Sequence, residues 1–199
     1  MIKAHKLSFT FDAEALQQDL SAFTAEDWAP HFNTQYYEGD WSGIALRAAR
    51  GGHLDLYPDP SAQDGYAGTA MLERCPYAQQ ILAAFECELE SVRFLRLGAG
   101  SSIREHRDHK LGYEDGVVRL HIPVVTDPLV RFTLGGDRIR MLPGEAWYLN
   151  FNLPHSVKND SKVDRVHLVI DCILNDWLRS FFPPADVRAE SASLTRSMF

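Results

Sequence analysis

Hydrophobic positions along this chain change their period near residue 92. Before that point the apolar residues recur at helical spacing in two stretches. Leu16, Leu20 and Phe23 predict an amphipathic helix over 12–23, with Asp12 as its N-cap and Glu14 and Ala15 behind it. Ile81, Leu82, Phe85 and Leu89 predict a second helix over 78–89. The run Trp-Ser-Gly-Ile-Ala-Leu-Arg at 41–47 reads as a strand, and 54–68, with Pro58, Pro60, Gly65 and Gly68, reads as a loop. From Val92 onward the period is two. Strands are expected over 92–97, 117–125, 130–134, 139–141, 146–151 and 165–173, with turns at 135–137 and at Pro143-Gly144. A short helix over 175–182 carries Trp177, Leu178, Phe181 and Phe182 and is stopped by Pro183-Pro184.

Many short strands with turn signals at close spacing predict a mainly β fold with flanking helices. The expected form is a double-stranded β-helix, that is, a jelly roll or cupin-like barrel. A single domain is expected over 1–199. Within it, 1–91 would supply helical and strand support and the substrate mouth, and 92–182 the core barrel with its C-terminal helix. Residues 183–199 would form a loosely held polar tail. Two strands share an unusual alternation. In 117–125 one face carries Val118, Leu120, Ile122 and Val124 and the other Arg119 and His121. In 165–173 one face carries Val166, Leu168, Ile170 and Cys172 and the other Arg165, His167 and Asp171. The Arg/His faces either line a lumen or face solvent. Alternation alone does not say which face is inside.

Composition narrows the function classes. The chain has 199 residues, 45% hydrophobic and 24% charged, with a net charge of −7 and no basic run. That argues against a nucleic-acid partner, which needs clustered Lys and Arg. No apolar run reaches the ~20 residues that span a bilayer, and the first residues lack the long apolar region of a secretory leader. Cys75, Cys87 and Cys172 are odd in number and contain no C-x-x-C, which suits a reducing cytoplasm better than a disulfide scaffold or a zinc ribbon. Both a monomer and a homodimer are compatible with these features.

The candidate chemistry is the ordered set His106, Asp108, His155 and Arg165. Residues two apart on a strand or at its end share a side, so His106 and Asp108 can bind one ion together. His155, in Leu-Pro-His-Ser, follows the expected strand over 146–151 and supplies a third donor. Two imidazoles and one carboxylate with open positions are the donor set of a non-haem Fe(II) oxygenase. The same donors also bind zinc. A zinc hydrolase or isomerase on a cupin-type barrel therefore stays open, although it has no use for Arg165. A non-catalytic barrel that binds a small ligand stays open too. H-x-D alone is common on surfaces, and the ordered set is more specific. Candidates for the mouth of the barrel are Trp41, Arg47, Arg96, His109 and Tyr113, and Arg47 or Arg96 could meet a substrate carboxylate.

The segment 103–172 resembles the aspartyl/asparaginyl/proline β-hydroxylase family of Fe(II)/2-oxoglutarate-dependent oxygenases. The matching stretches are Glu-His-Arg-Asp at 105–108, Val-Arg-Leu-His-Ile-Pro-Val at 118–124, Pro-Gly-Glu-Ala-Trp-Tyr-Leu at 143–149, Leu-Pro-His at 153–155 and Asp-Arg-Val-His-Leu-Val-Ile-Asp at 164–171. The region before Val92 is similar more loosely, mainly through 41–47. The resemblance implies that His106, Asp108 and His155 bind Fe(II) and that Arg165 pairs with the distal carboxylate of 2-oxoglutarate. It implies that Arg119 and His121 lie near that co-substrate. Some aspartyl hydroxylases of the family carry glycine at the position of Asp108, whereas the free-proline hydroxylases carry a carboxylate as this chain does. The implied reaction uses O₂, with ascorbate as reductant in assays. It hydroxylates an unactivated carbon of an amino acid or similar small carboxylate, or of an Asp, Asn or Pro residue in a peptide.

Overall fold

The computed structural model describes residues 1–49, 51–52, 56 and 65–184. In chain order the elements are β1 (Ala4–Thr10), α1 (Ala13–Ser21), β2 (Ala29–Pro30), β3 (Tyr37–Glu38), β4 (Trp41–Ala49), β5 (Tyr66–Gly68), α2 (Pro76–Ala83), β6 (Leu89–Leu97), β7 (Ser102–His106), β8 (Val117–Val125), β9 (Val130–Leu134), β10 (Asp137–Ile139), β11 (Glu145–Leu149), β12 (His155–Asn159), β13 (Arg165–Ile173) and α3 (Asp176–Arg179).

The strands form two antiparallel sheets, and the fold is a double-stranded β-helix. The larger sheet has eight strands in the order β1-β11-β8-β13-β6-β4-β2, with β5 added on β4. The smaller has five, in the order β10-β9-β12-β7-β3. Strands β8, β9 and β13 have the bounds expected from alternation. Gly135 and Gly136, with φ of +52° and +83°, make the tight hairpin between Leu134 and Asp137. Two successive positive φ values suit the right-handed twist of the flanking strands, and glycine adopts them without steric cost. That hairpin also moves the expected strand at 139–141 back to Asp137–Ile139, where it pairs with β9.

The helices differ more from expectation. In α1 the Asp12 carboxylate accepts from the Glu14 and Ala15 amides at 2.9 and 3.1 Å, as an N-cap should. The second helix starts at Pro76 and ends at Ala83, rather than running over 78–89. Its start is fixed by proline at the first turn and by the buried Asp19 of α1, whose carboxylate accepts from the Tyr77 and Ala78 amides. Its end is set by tertiary pairing, because Leu89 already faces Cys172 across β6 and β13. Part of the expected loop at 54–68 is strand β5, which pairs with Arg47–Ala49. The rest of that loop, apart from residues 56 and 65, lies outside the described residues, as do 185–199 of the expected tail. Among the described residues no helix is long and apolar enough to cross a membrane.

The structure resolves which faces are inside. Val118, Leu120, Ile122 and Val124 of β8 and Val166, Leu168, Ile170 and Cys172 of β13 pack in one core with Leu16, Ile81, Leu178 and Phe182 from the helical layer. The opposite faces of the same strands turn Arg119, His121 and Arg165 into a cavity between the sheets. Trp41, Leu97, Phe132, Leu134, Phe151 and Val157 form a second apolar cluster there. The Arg/His faces therefore line a lumen.

Truncating the helix-side core should be costly. Leu120, with 0% exposure, becomes a cavity in Leu120→Ala, and urea unfolding should show a loss of about 2–5 kcal/mol. Leu129→Ala, at a site 58% exposed, should stay within about 0.5 kcal/mol of the parent. Equal losses at the two sites would contradict this placement of the core.

Candidate active site

His106 is the last residue of β7 and His155 the first of β12, and the two are direct partners across the strand pair. Their ring centroids lie 4.2 Å apart. Asp108 follows β7, where its amide donates to the Phe151 carbonyl at 3.0 Å and ties this loop to the chain ahead of β12. The donor atoms of His106, Asp108 and His155 lie within 4.8 Å of one another, the one such cluster of three among the described residues.

The two imidazoles are prepared as ligands in the same way. His106 Nδ1 donates to the Arg104 carbonyl at 2.8 Å, and His155 Nδ1 donates to the Leu153 carbonyl at 3.0 Å. A carbonyl can only accept, so each Nδ1 carries a proton, and it is Nε2 of each ring that would offer a lone pair to an ion. Burial brings the His155 pKa down to about 4 against the opposing pull of the Leu153 carbonyl, which keeps the ring neutral at ordinary pH. Tyr36 stacks on His106 with centroids 5.2 Å apart, and Phe151 meets His155 edge-on at 4.7 Å. Two imidazoles held through Nδ1 beside a carboxylate fit a divalent first-row ion.

A chain of buried charges supports the carboxylate. Asp171 of β13 faces Arg119 of β8 in register. Its two oxygens accept from Arg119 Nε at 2.6 Å and Nη2 at 3.0 Å, and from Arg93 Nη1 at 2.9 Å. Burial by itself would raise the Asp171 carboxyl, but the charges of Arg119 and Arg93 and their hydrogen bonds hold it below the usual carboxylate range. The remaining arm of Arg119, Nη1, donates to Asp108 Oδ2 at 2.9 Å. This orients Asp108 and leaves its other oxygen for a metal.

Arg165 opens β13 at 3% exposure. Its Nη2 donates to His167 Nδ1 at 3.0 Å, and its Nε has no hydrogen-bond partner. Among the described residues no carboxylate lies within ion-pair distance of it. Burial lowers its pKa to about 9, so it remains cationic at neutral pH. Because His167 Nδ1 accepts from Arg165, His121 Nδ1, 3.3 Å from it, must be a donor. Burial first, and the Arg165 charge second, push both imidazoles well below the ordinary histidine range.

Of the residues singled out in the sequence, His106, Asp108, His155, Arg119, His121, Arg165, Trp41 and His109 line one cavity of about 620 Å³. Arg47, Arg96 and Tyr113 do not line it. Arg47 donates through Nε to the Leu89 carbonyl at 2.9 Å. Arg96 pairs with Asp40 at 2.9 Å and lies over Trp28, because it shares the strand face of Phe94 and not that of Arg93. Tyr113 packs against Phe182 on the helical side, with ring centroids 4.8 Å apart. Sequence reasoning missed Arg93, Glu90, His31 and Tyr36, all of which line the cavity. Parity marked Arg93, since Val92 and Phe94 beside it read as core positions. Nothing periodic marked His31 or Tyr36.

The buried histidines set a pH dependence. Their folded pKa values lie far below the ordinary value of about 6.5, so below that pH the unfolded chain takes up protons that the folded one refuses. Stability should be fully present above pH ~6.5 and fall as the pH drops, by up to about 1.4 kcal/mol per pH unit for each such histidine. Urea unfolding between pH 7.5 and about 5.5 should show this slope, and His167→Gln should reduce it. An unchanged slope in that variant would remove His167 from the account.

Comparison with known proteins gives a consistent family. The chain is 27% identical over 174 residues to L-proline cis-4-hydroxylase of Rhizobium meliloti (strain 1021), covering 86% of this chain and 61% of the relative. It is 30% identical over 166 residues to L-proline cis-3-hydroxylase 2 of Streptomyces sp, covering 80% and 56%. It thus spans somewhat over half the length of these curated relatives. Among solved structures, a prolyl-4-hydroxylase from Pseudomonas putida shares the fold at TM-score 0.51 and 15% identity, covering 86% of this chain and 92% of that one. A 2OG-Fe(II) oxygenase family oxidoreductase from Burkholderia pseudomallei does so at TM-score 0.54 and 14% identity, covering 82% and 80%. The family model described as Aspartyl/Asparaginyl beta-hydroxylase matches residues 10–174, which takes in every strand after β1 and the whole cavity, and the chain belongs to that family.

Proposed function

We propose that this protein is an Fe(II)- and 2-oxoglutarate-dependent dioxygenase that hydroxylates an unactivated carbon of a free amino acid or a similarly small carboxylate. The observation that carries this reading is Arg165. A buried guanidinium facing the same cavity as the His106–Asp108–His155 cluster, with no carboxylate in reach among the described residues, calls for an anionic ligand. Guanidinium forms two parallel bonds with a carboxylate, which suits the distal end of 2-oxoglutarate. The relatives named as L-proline hydroxylases support an amino-acid substrate over a peptide.

In this reading His106, Asp108 and His155 hold the iron, and Arg165 holds the co-substrate. Iron, with 2-oxoglutarate and O₂, would supply the oxidising chemistry there. The chain's own side chains position and shield. Arg119 fixes Asp108, His167 and His121 surround Arg165 without competing for charge, and Phe132 and Phe151 exclude water from the inner wall. Arg93, with its guanidinium in the same wall, is placed to meet a substrate carboxylate. The cavity of about 620 Å³ has room for 2-oxoglutarate and one small molecule beside it. Three free thiols fit a reducing compartment, and we place the protein in the cytoplasm.

With Fe(II), ascorbate and O₂, the purified protein should convert 2-oxoglutarate to succinate, faster in the presence of an amino-acid panel. One member of the panel should gain a single oxygen by mass spectrometry. Oxygen gained by a peptide while every free amino acid stays unmodified would overturn the substrate class and leave the oxygenase reading intact. Arg165→Lys keeps the charge and loses the fork. It should weaken 2-oxoglutarate binding by about tenfold or more, with metal affinity unchanged. Equal 2-oxoglutarate affinity by titration calorimetry would sink the assignment of Arg165.

A further inference from the structure

One irregularity in the cavity wall is unexplained by binding iron and 2-oxoglutarate. Between Ile170↔Val92 and Cys172↔Leu89, β6 and β13 fall out of step. Ser91 and Glu90 of β6 together oppose the single residue Asp171 of β13, which is a β-bulge. Along β6, Val92 and Phe94 pack in the helix-side core, while Arg93 and Leu95 line the cavity. Strict alternation would put Ser91 in the cavity and drive Glu90 into the aliphatic core. The bulge reverses this phase. Glu90 lines the cavity, Ser91 does not, and Leu89 packs against the helix-side core. The arrangement is costly, because it leaves the fully buried Ser91 hydroxyl without a hydrogen-bond partner.

What this irregularity achieves is a carboxylate in the cavity. Glu90 is half-buried, and among the described residues it has no cation within ion-pair distance. Arg119, the nearest candidate by charge, already donates to both oxygens of Asp171 and to Asp108. Burial and the negative charges of Asp171 and Glu88 raise the Glu90 pKa against the opposing pull of the Arg119 charge.

We propose that Glu90 is the receptor for the cationic amine of the substrate, so that the cavity selects a zwitterion over a simple carboxylate. This rests on the amino-acid hydroxylase reading above. A buried ammonium needs an anionic acceptor, and an amino acid carries that ammonium one carbon from its carboxylate. Glu90 and Arg93 stand on the same strand and open into the same cavity, with opposite charges for the two ends of such a molecule.

The test is calorimetric. The full chain, loaded anaerobically with Mn(II) and 2-oxoglutarate, is titrated with the standard amino acids and with the deamino counterpart of any that binds (cyclopentanecarboxylate for proline). The parent should prefer the amino acid by about tenfold or more. Glu90→Gln should bring that ratio near one while 2-oxoglutarate affinity is unchanged. A Glu90→Gln protein that keeps the parent ratio overturns the proposal and leaves the hydroxylase reading standing. If Glu90→Gln also loses 2-oxoglutarate, its fold has failed and Glu90→Asp decides instead. Withdrawing the carboxylate by one methylene should cut the ratio severalfold, and an unchanged ratio overturns the proposal. A parent that binds 2-oxoglutarate but no amino acid overturns both this proposal and the amino-acid substrate class.

Discussion

The carboxylate of Asp171 is the contact on which the polar interior depends. It bridges Arg93 and Arg119 from neighbouring strands at a depth where an uncompensated charge is expensive. Because Arg119 is clamped by two bonds to Asp171, its third arm reaches Asp108 from a fixed position. The orientation of one proposed metal ligand thus follows from a cross-strand register, Asp171 against Arg119. Arg165, on the same strand as Asp171, extends this cationic wall. A carboxylated ligand would supply the partner that Arg165 lacks among the described residues.

The same two strands build the core and one wall of the cavity. On their helix-side faces β8 and β13 offer aliphatic side chains to one hydrophobic core, and on their inner faces they offer guanidinium, imidazole and carboxylate to the cavity. Removing water from one face stabilises the sheet that holds the charges on the other. The larger sheet therefore carries folding stability together with the buried charges of the cavity, while the smaller sheet presents His106 and His155. Changes in strand register would damage both together.

Strong alternation made β8, β9 and β13 legible in the sequence to the residue. Strands β7 and β12 were not recognised, and the reason is chemical. Ser-Ile-Arg-Glu-His and His-Ser-Val-Lys-Asn each hold few apolar residues, because these strands carry His106 and His155 and line the open end of the site. Function displaced the hydrophobic period that would have revealed them. Strand β1 was hidden differently. As an edge strand with Leu7 alone deeply buried, it has little pattern to show. The proposed ligand cluster and Arg165 were picked out by spacing and family resemblance, and the fold brings them to one cavity. Arg96 was chosen over Arg93 although the flanking Val92 and Phe94 marked Arg93 as lumenal. Glu90 was beyond reach, since a bulge reverses the very parity on which such reasoning relies.

A structure of the protein with Mn(II) and 2-oxoglutarate, obtained without O₂, tests the central claim most directly. The account requires one ion at about 2.0–2.3 Å from His106 Nε2, His155 Nε2 and an Asp108 oxygen. It also requires the distal carboxylate of 2-oxoglutarate on the guanidinium of Arg165. An ion bound elsewhere, or 2-oxoglutarate seated away from Arg165, would contradict it.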